Sequence, residues 1–181
     1  RMELIDNINS LLGDSLKESL DESSKLKIAA ATFSIYAYDS LREELERIEE
    51  LSFLFTAPAF VAEDIKGKAK RESREFYIPK KSREKGLYGT EFEIHLRNKL
   101  TQKALARDCA NWIRKKVTFK SNSSKAPMQQ FIYQKNALNG EVYMPLSGFT
   151  ATDLGYQKGD AVSNIVTKLD DPSQVAVYLN L

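Results

Sequence analysis

Histidine and cysteine are almost missing from this sequence, and their scarcity excludes a good deal. Cys109 is the only cysteine and His95 the only histidine. A lone cysteine forbids an intrachain disulfide and a Cys-Cys redox pair, and a reducing, cytoplasmic setting is the simplest expectation. One His and one Cys do not make the usual four-ligand zinc site. Any mechanism that needs imidazole has a single candidate. Long apolar runs are absent too. The longest uncharged stretch, residues 51–62, contains Pro58 and is too short to span a bilayer. Asp6 and Asp14 interrupt the first apolar segment, so no secretory signal pattern opens the chain. Gly140, Gly155 and Gly159 are not followed by a Lys-Ser/Thr ending, so these residues hold no phosphate-cradling loop of a nucleotide-hydrolysing motor.

What is present is ordinary for a folded chain. The 181 residues are 42% hydrophobic and 29% charged, which suits one domain with an insertion. The net charge of +2 conceals an uneven distribution. Residues 1–63 hold 6 Lys/Arg and 13 Asp/Glu, a net of −7. Residues 64–125 hold 18 and 7, a net of +11, and residues 126–181 hold 3 and 5, a net of −2. Charge blocks of this kind say more about partners than the total does. Arg1 ahead of Met2 and the apolar run from Val175 to Leu181 suggest a piece of a longer polypeptide.

Periodicity predicts an α/β arrangement. Ile5, Ile8, Leu12, Leu16 and Leu20 recur at helical spacing and predict an opening amphipathic helix. Residues 26–33 read as a buried strand. Ser40 with Glu43 forms a capping-box pattern ahead of Leu41, Leu45 and Ile48, and residues 51–55 follow as a second strand. That strand–helix–strand order favours a parallel pair. Residues 57–98 break the rhythm and read as a charged insertion with a basic loop near residues 79–86. Residues 100–116 form an amphipathic helix with Leu105, Cys109, Trp112 and Ile113 on one face. Residues 117–120 and 128–133 read as strands. Asn139-Gly140 signals a type I′ turn into residues 141–144. Asp171-Pro172 reads as an N-cap and first turn.

Three segments resemble the phospholipase D-like domain attached to ATP-dependent helicases of the Swi/Snf type. Lys27-Ile28-Ala29-Ala30-Ala31-Thr32-Phe33-Ser34 is similar to its opening strand. Arg107-Asp108-Cys109-Ala110-Asn111-Trp112-Ile113-Arg114-Lys115-Lys116-Val117 is similar to the helix and strand before its active-site region. Leu146-Ser147-Gly148-Phe149-Thr150-Ala151-Thr152-Asp153-Leu154-Gly155 is similar to the Gly-Ser-x-Asn-Phe-Thr-x-x-Gly-Leu pattern after the catalytic strand. Glu75-Phe76-Tyr77-Ile78-Pro79, and the run from Trp112 to Asn122, resemble segments of one branch of these proteins. The resemblance implies a mixed sheet flanked by helices. It also implies the N-terminal domain of a bacterial DNA helicase, with the ATP-dependent motor elsewhere in the same polypeptide.

The departures from that pattern matter more. Active members carry His-x-Lys-(x4)-Asp, in which the His attacks phosphorus and the Lys holds phosphate oxygens. By position the motif should fall at residues 128–133, where the chain reads Met128-Gln129-Gln130-Phe131-Ile132-Tyr133. A glutamine hydrogen-bonds phosphate but is neither a nucleophile nor a general acid. Gly148 stands where the pattern has Asn. The expectation is therefore a domain that has lost its chemistry, with no catalytic residue, no metal and no cofactor.

Other groups have to be weighed beside this. His95 has neither the family lysine nor the Asp after it; a metal-independent phosphodiesterase built on it is the alternative. Cys109 reads as a buried small hydrophobe rather than a reactive thiol. Glu91 with Glu93, and Asp170 with Asp171, lack a third ligand. The most informative surface is basic. Arg114, Lys115, Lys116, Lys120 and Lys125 stand beside Ser121, Asn122, Ser123 and Ser124, the donors that contact phosphate oxygens. Lys80, Lys81, Arg83 and Lys85, flanked by Tyr77 and Tyr88, form a second basic loop. The expected partner is the DNA backbone, bound in a salt-sensitive and largely sequence-independent way. A homodimer or protein-interaction module is the remaining expectation, because active relatives join two motif copies in one site.

Overall fold

The computed structural model describes residues 1–56, 75–76, 104–122, 127–146, 148–157 and 165–179. Its framework is a seven-stranded mixed sheet flanked by helices, the α/β architecture expected from the sequence. The strands are β1 (Met2–Ile5), β2 (Lys25–Ala30), β4 (Glu50–Phe55), β6 (Val117–Ser121), β7 (Phe131–Lys135), β8 (Gly140–Met144) and β9 (Val166–Leu169). Their order across the sheet is β1-β9-β8-β7-β2-β4-β6. A separate short pair joins β3 (Phe33–Ser34) to β5 (Glu75–Phe76) in antiparallel sense. The helices are α1 (Leu12–Ser19), α2 (Ile35–Ser40), α3 (Arg42–Arg47), α4 (Ala104–Lys116) and α5 (Pro172–Leu179).

Two kinds of pairing meet at β2. On one side β2, β4 and β6 run parallel, with Ile28 opposite Phe53 and Phe53 opposite Phe119. The parallel β2–β4 pair is the one predicted from the strand–helix–strand order. On the other side β7, β8, β9 and β1 continue as an antiparallel meander. The carboxyl ends of the three parallel strands and the amino end of β7 therefore lie along one edge of the sheet.

The two faces of the sheet differ because side chains alternate along each strand. Leu26, Ile28, Leu51, Phe53, Phe119, Ile132 and Tyr143 point to one face, where they join Leu12 and Leu16 of α1, Tyr38 of α2, Leu45 of α3 and Trp112 of α4. Phe33 sits at the centre of this layer, edge-on to Phe53 at 5.6 Å and stacked on Trp112 at 6.4 Å. Burying each such side chain contributes about 1.5–3 kcal/mol relative to leaving it in water. The opposite face carries a smaller cluster of Ala29, Phe131, Tyr133, Val142 and Val175, with Leu54, Met144, Leu169 and Tyr178 packed against it. Among the described helices, only α5 contributes to that cluster.

Several local expectations are corrected. The chain opens with a strand, not a helix. Asp6 Oδ1 accepts hydrogen bonds from the amides of Ile8, Asn9 and Ser10, and Asn7 adopts φ 57°, so the chain turns before α1 begins. Ile5 is buried as part of β1, whereas Ile8 is 82% exposed. Ser40 does not cap α3; its hydroxyl donates back to Tyr36 O at 2.7 Å, and Ser34 caps α2 by accepting from Tyr36 N at 3.1 Å. The β7–β8 hairpin stands where Asn139-Gly140 predicted it, but its loop has four residues. Asn136 Oδ1 accepts from the amides of Leu138 and Asn139, and neither Asn139 nor Gly140 takes a positive φ. Asp171 does precede α5, accepting from Ser173 N at 2.9 Å. The insertion at residues 57–98 lies outside the described residues, apart from Glu75–Phe76.

Candidate functional site

The edge formed by the carboxyl ends of β2, β4 and β6 is where an α/β sheet usually presents its binding groups. Hydrogen bonds tie this edge together. Thr56 N donates to Ala30 O at 3.1 Å and Asn122 N to Phe55 O at 2.9 Å, so the loops leaving β4 and β6 extend the ladder. Phe149 N donates to Thr32 O and Ser34 N to Phe149 O, both at 2.9 Å, which stitches the segment after β8 to the segment after β2.

Gln130 stands at the amino end of β7, in the stretch that should carry a His-x-Lys motif. Its side-chain oxygen accepts the amide of Ala31 at 3.0 Å. The last paired residues of β2 and β7 are Ala29 and Phe131, so this side chain adds one more rung in place of a backbone carbonyl. Among the described residues 128–133 are two glutamines, a methionine, two apolar residues and one tyrosine. None is a histidine or a lysine, and burial raises the Tyr133 phenol above its ordinary value.

Gly148 explains itself structurally. A Cβ there would lie 2.2 Å from Thr32 Oγ1 and 3.2 Å from Thr150 Cγ2. The Thr32 hydroxyl fills the space that a side chain at this position would need. Beside it, Thr150 Oγ1 donates to Asp153 Oδ2 at 2.6 Å and accepts from Asp153 N at 3.0 Å. This closes a buried turn, with both residues 7% exposed.

Cys109 is fully buried on the α4 face that carries Trp112 and Ile113, as periodicity predicted. Burial pushes its thiol far above the ordinary value, which keeps it protonated. His95, Glu91 and Glu93 lie outside the described residues. Among the described residues no group of three or more His, Cys, Asp or Glu is placed to hold a metal ion. Nor is any described helix long and apolar enough to cross a membrane.

The predicted basic surface divides. Lys80, Lys81, Arg83, Lys85 and Lys125 lie outside the described residues. Arg114 and Lys115 are exposed on the outer side of α4, with Arg114 Nη1 donating to Asn111 Oδ1 at 3.1 Å. Lys116 is turned inward, and its ammonium donates to Ile48 O at 2.6 Å, capping the carboxyl end of α3. Lys120 belongs elsewhere. Phe119 points into the helix-covered core, so its neighbours Thr118 and Lys120 project from the opposite face of the sheet.

On that face Lys120 has a companion that the sequence reading passed over. Lys27 projects from the middle of β2, and burial first, then the nearby charge of Lys120, holds its ammonium below the usual lysine range. Residues 26–33 read as a buried strand; the alternation Lys25-Leu26-Lys27-Ile28 is the signal in the sequence for a side chain on the other face. In register across four strands stand Tyr133, Lys27, Ser52 and Thr118, and in the next row Phe131, Ala29, Leu54 and Lys120. Neither row contains a carboxylate. Farther along, Lys25 pairs across β4 with Glu50, with an ammonium–carboxylate separation of 3.7 Å.

No family model matches the chain. No curated protein matches it either. Among solved structures the chain is similar to two crystal structures of yeast tyrosyl-DNA phosphodiesterase mutants. One has 10% sequence identity and a TM-score of 0.45, covering 95% of this chain and 31% of that one. The other has 11% identity and a TM-score of 0.47, covering 99% and 35%. The chain thus spans about a third of the length of each.

Proposed function

We propose that this chain is a non-catalytic, phospholipase D-like domain that holds the phosphate backbone of DNA. In this reading it serves an ATP-dependent helicase whose motor lies elsewhere in the polypeptide. The observation that carries the reading is Gln130. Where a phosphodiesterase of this type keeps its attacking imidazole and phosphate-holding lysine, this chain places an amide that is already engaged in extending the sheet. An amide so engaged supports structure, and an amide neither attacks phosphorus nor protonates a leaving oxygen near neutral pH. Gly148, whose site is filled by Thr32, agrees with it. The exposed cations Arg114, Lys115 and Lys120, together with Lys80, Lys81, Arg83, Lys85 and Lys125, supply the charge that backbone binding needs.

The test has two arms. Fluorescence anisotropy with a labelled 20-nucleotide oligonucleotide should show binding in the micromolar range or tighter, weakening steeply between about 50 and 200 mM salt. Absence of binding at low salt and large protein excess removes the proposal. Incubation with plasmid and oligonucleotide DNA in EDTA should leave both intact. Cleavage that disappears in His95→Ala would instead establish a metal-independent nuclease.

A further inference from the structure

We infer that Met144 is an oxidation site that holds its own product: peroxide converts the thioether to a sulfoxide, and Tyr178 and Gln129 grip the new oxygen, fastening α5 to the sheet. The inference is independent of DNA binding. It starts from three side chains that converge at the carboxyl end of β8. The Tyr178 hydroxyl donates to Met144 Sδ at 3.1 Å, and Gln129 Nε2 donates to the same sulfur at 3.4 Å. Gln129 Nε2 also stands 3.5 Å from the Tyr178 oxygen, so the two donors are neighbours that share one target. Methionine ordinarily fills irregular gaps among apolar side chains, and its sulfur is a weak acceptor. Here two polar hydrogens meet it. Among the described residues it is the one acceptor for the phenol hydrogen.

Oxidation supplies the strong acceptor that this geometry lacks. A sulfur lone pair attacks one oxygen of hydrogen peroxide. The S–O bond forms as the O–O bond breaks, the sulfur is oxidised, and the other oxygen leaves as water. The product is polar, and among apolar side chains alone it disrupts packing. Met144 packs at the rim of the cluster that contains Phe131, Val142 and Val175, and is half-buried, while Gln129 beside it is exposed. The polar product therefore has two donors at hand. Tyr178 carries the effect to α5. Its ring stands edge-on to Phe131 of β7 at 5.1 Å, so a firmer hold on its hydroxyl is a firmer hold of α5 on β7 and β8.

In the unaltered chain, dilute hydrogen peroxide should add one oxygen to Met144, read by mass spectrometry of its peptides. Met2, 68% exposed, is the control that the reagent has acted. Oxidation of Met2 with Met144 untouched overturns the inference. The consequence is read in a Met2→Leu, Met128→Leu chain, where Met144 is the only methionine. Its melting temperature, followed by circular dichroism, should rise by about 2–4 °C on oxidation, the shift expected of one hydrogen bond gained in a chain of this size. A methionine sulfoxide reductase should reverse it. In the same background Tyr178→Phe keeps the ring against Phe131 and removes only the hydroxyl, and there oxidation should lower the melting temperature. Gln129→Ala, at an exposed position where folding is not at stake, should reduce the gain without reversing it. A shift of the same size and direction with and without the Tyr178 hydroxyl would show that the sulfoxide is not held by it, and the inference would fall.

Discussion

Trp112→Phe should cost more stability than the change in ring size suggests. The indole donates its Nε1–H to Leu45 O at 2.8 Å within the core. Leu45 lies near the carboxyl end of α3, where carbonyls run out of partners inside the helix. The amide one turn on, that of Glu49, is directed away to Ser24 O at 2.9 Å. Phenylalanine keeps a ring against Tyr38, whose centroid lies 5.0 Å away, but leaves the Leu45 carbonyl without its indole donor. An orphaned buried acceptor costs about 1–3 kcal/mol, and the cavity left by the smaller ring adds about 1 kcal/mol. A loss of about 2–4 kcal/mol follows, or roughly 5–15 °C in melting temperature for a chain of this size. Urea titration followed by far-ultraviolet circular dichroism is the assay, because the substitution removes the only tryptophan. The midpoint should fall with the slope unchanged. A loss below about 1 kcal/mol would mean that the indole–carbonyl bond adds nothing net, and the account of how α4 holds α3 would be wrong.

Two further outcomes follow from the edge and the opening turn. Gly148→Ala should destabilise by about 1–3 kcal/mol, and by much less in a Thr32→Ala background, where the atom 2.2 Å from the new Cβ is gone. Equal losses in the two backgrounds, read from thermal melts, would refute the packing argument. The Asp6 carboxyl is held well below its ordinary 3.8, first by the amides of Ile8 and Ser10, then by Asn9. Its folded value is depressed, so its contribution is present above the unfolded value and drains away as pH falls below about 4. Urea midpoints of wild type and Asp6→Ala should differ at pH 6 and draw together as pH drops from 4 to 2. Parallel curves would refute this.

The parallel half of the sheet was legible because its signals are local. Residues 26–33 and 51–55 are short apolar runs flanking a helical stripe, and that pattern specifies β2, α3 and β4. The long stripe of α4 was equally plain, and with it the burial of Cys109 and Trp112. The opening was misread because Ile5, Leu12, Leu16 and Leu20 are all buried, yet Ile5 belongs to a strand whose partner, Val166–Leu169, lies at the other end of the chain. Helical spacing cannot express a contact of that range. The signal available was Asp6 followed by Asn7 and Asn9, a turn-forming set that the periodicity overrode. The candidate surface was half legible. Runs of lysine show charge, but Lys116 caps a helix end while Lys120, four residues on, crosses to the other face. Only strand register separates them, and register also brought Lys27 beside Lys120 from 93 positions away in the sequence.

The pairing of Met2–Ile5 with Val166–Leu169 has a temporal consequence. During synthesis β1 must wait for about 160 further residues before its neighbour exists, several seconds to half a minute at about 5–20 residues per second. Through that interval Ile5 lacks its place in the core and the backbone groups of β1 are open to any passing strand. β1 therefore cannot join the sheet until β9 has been made.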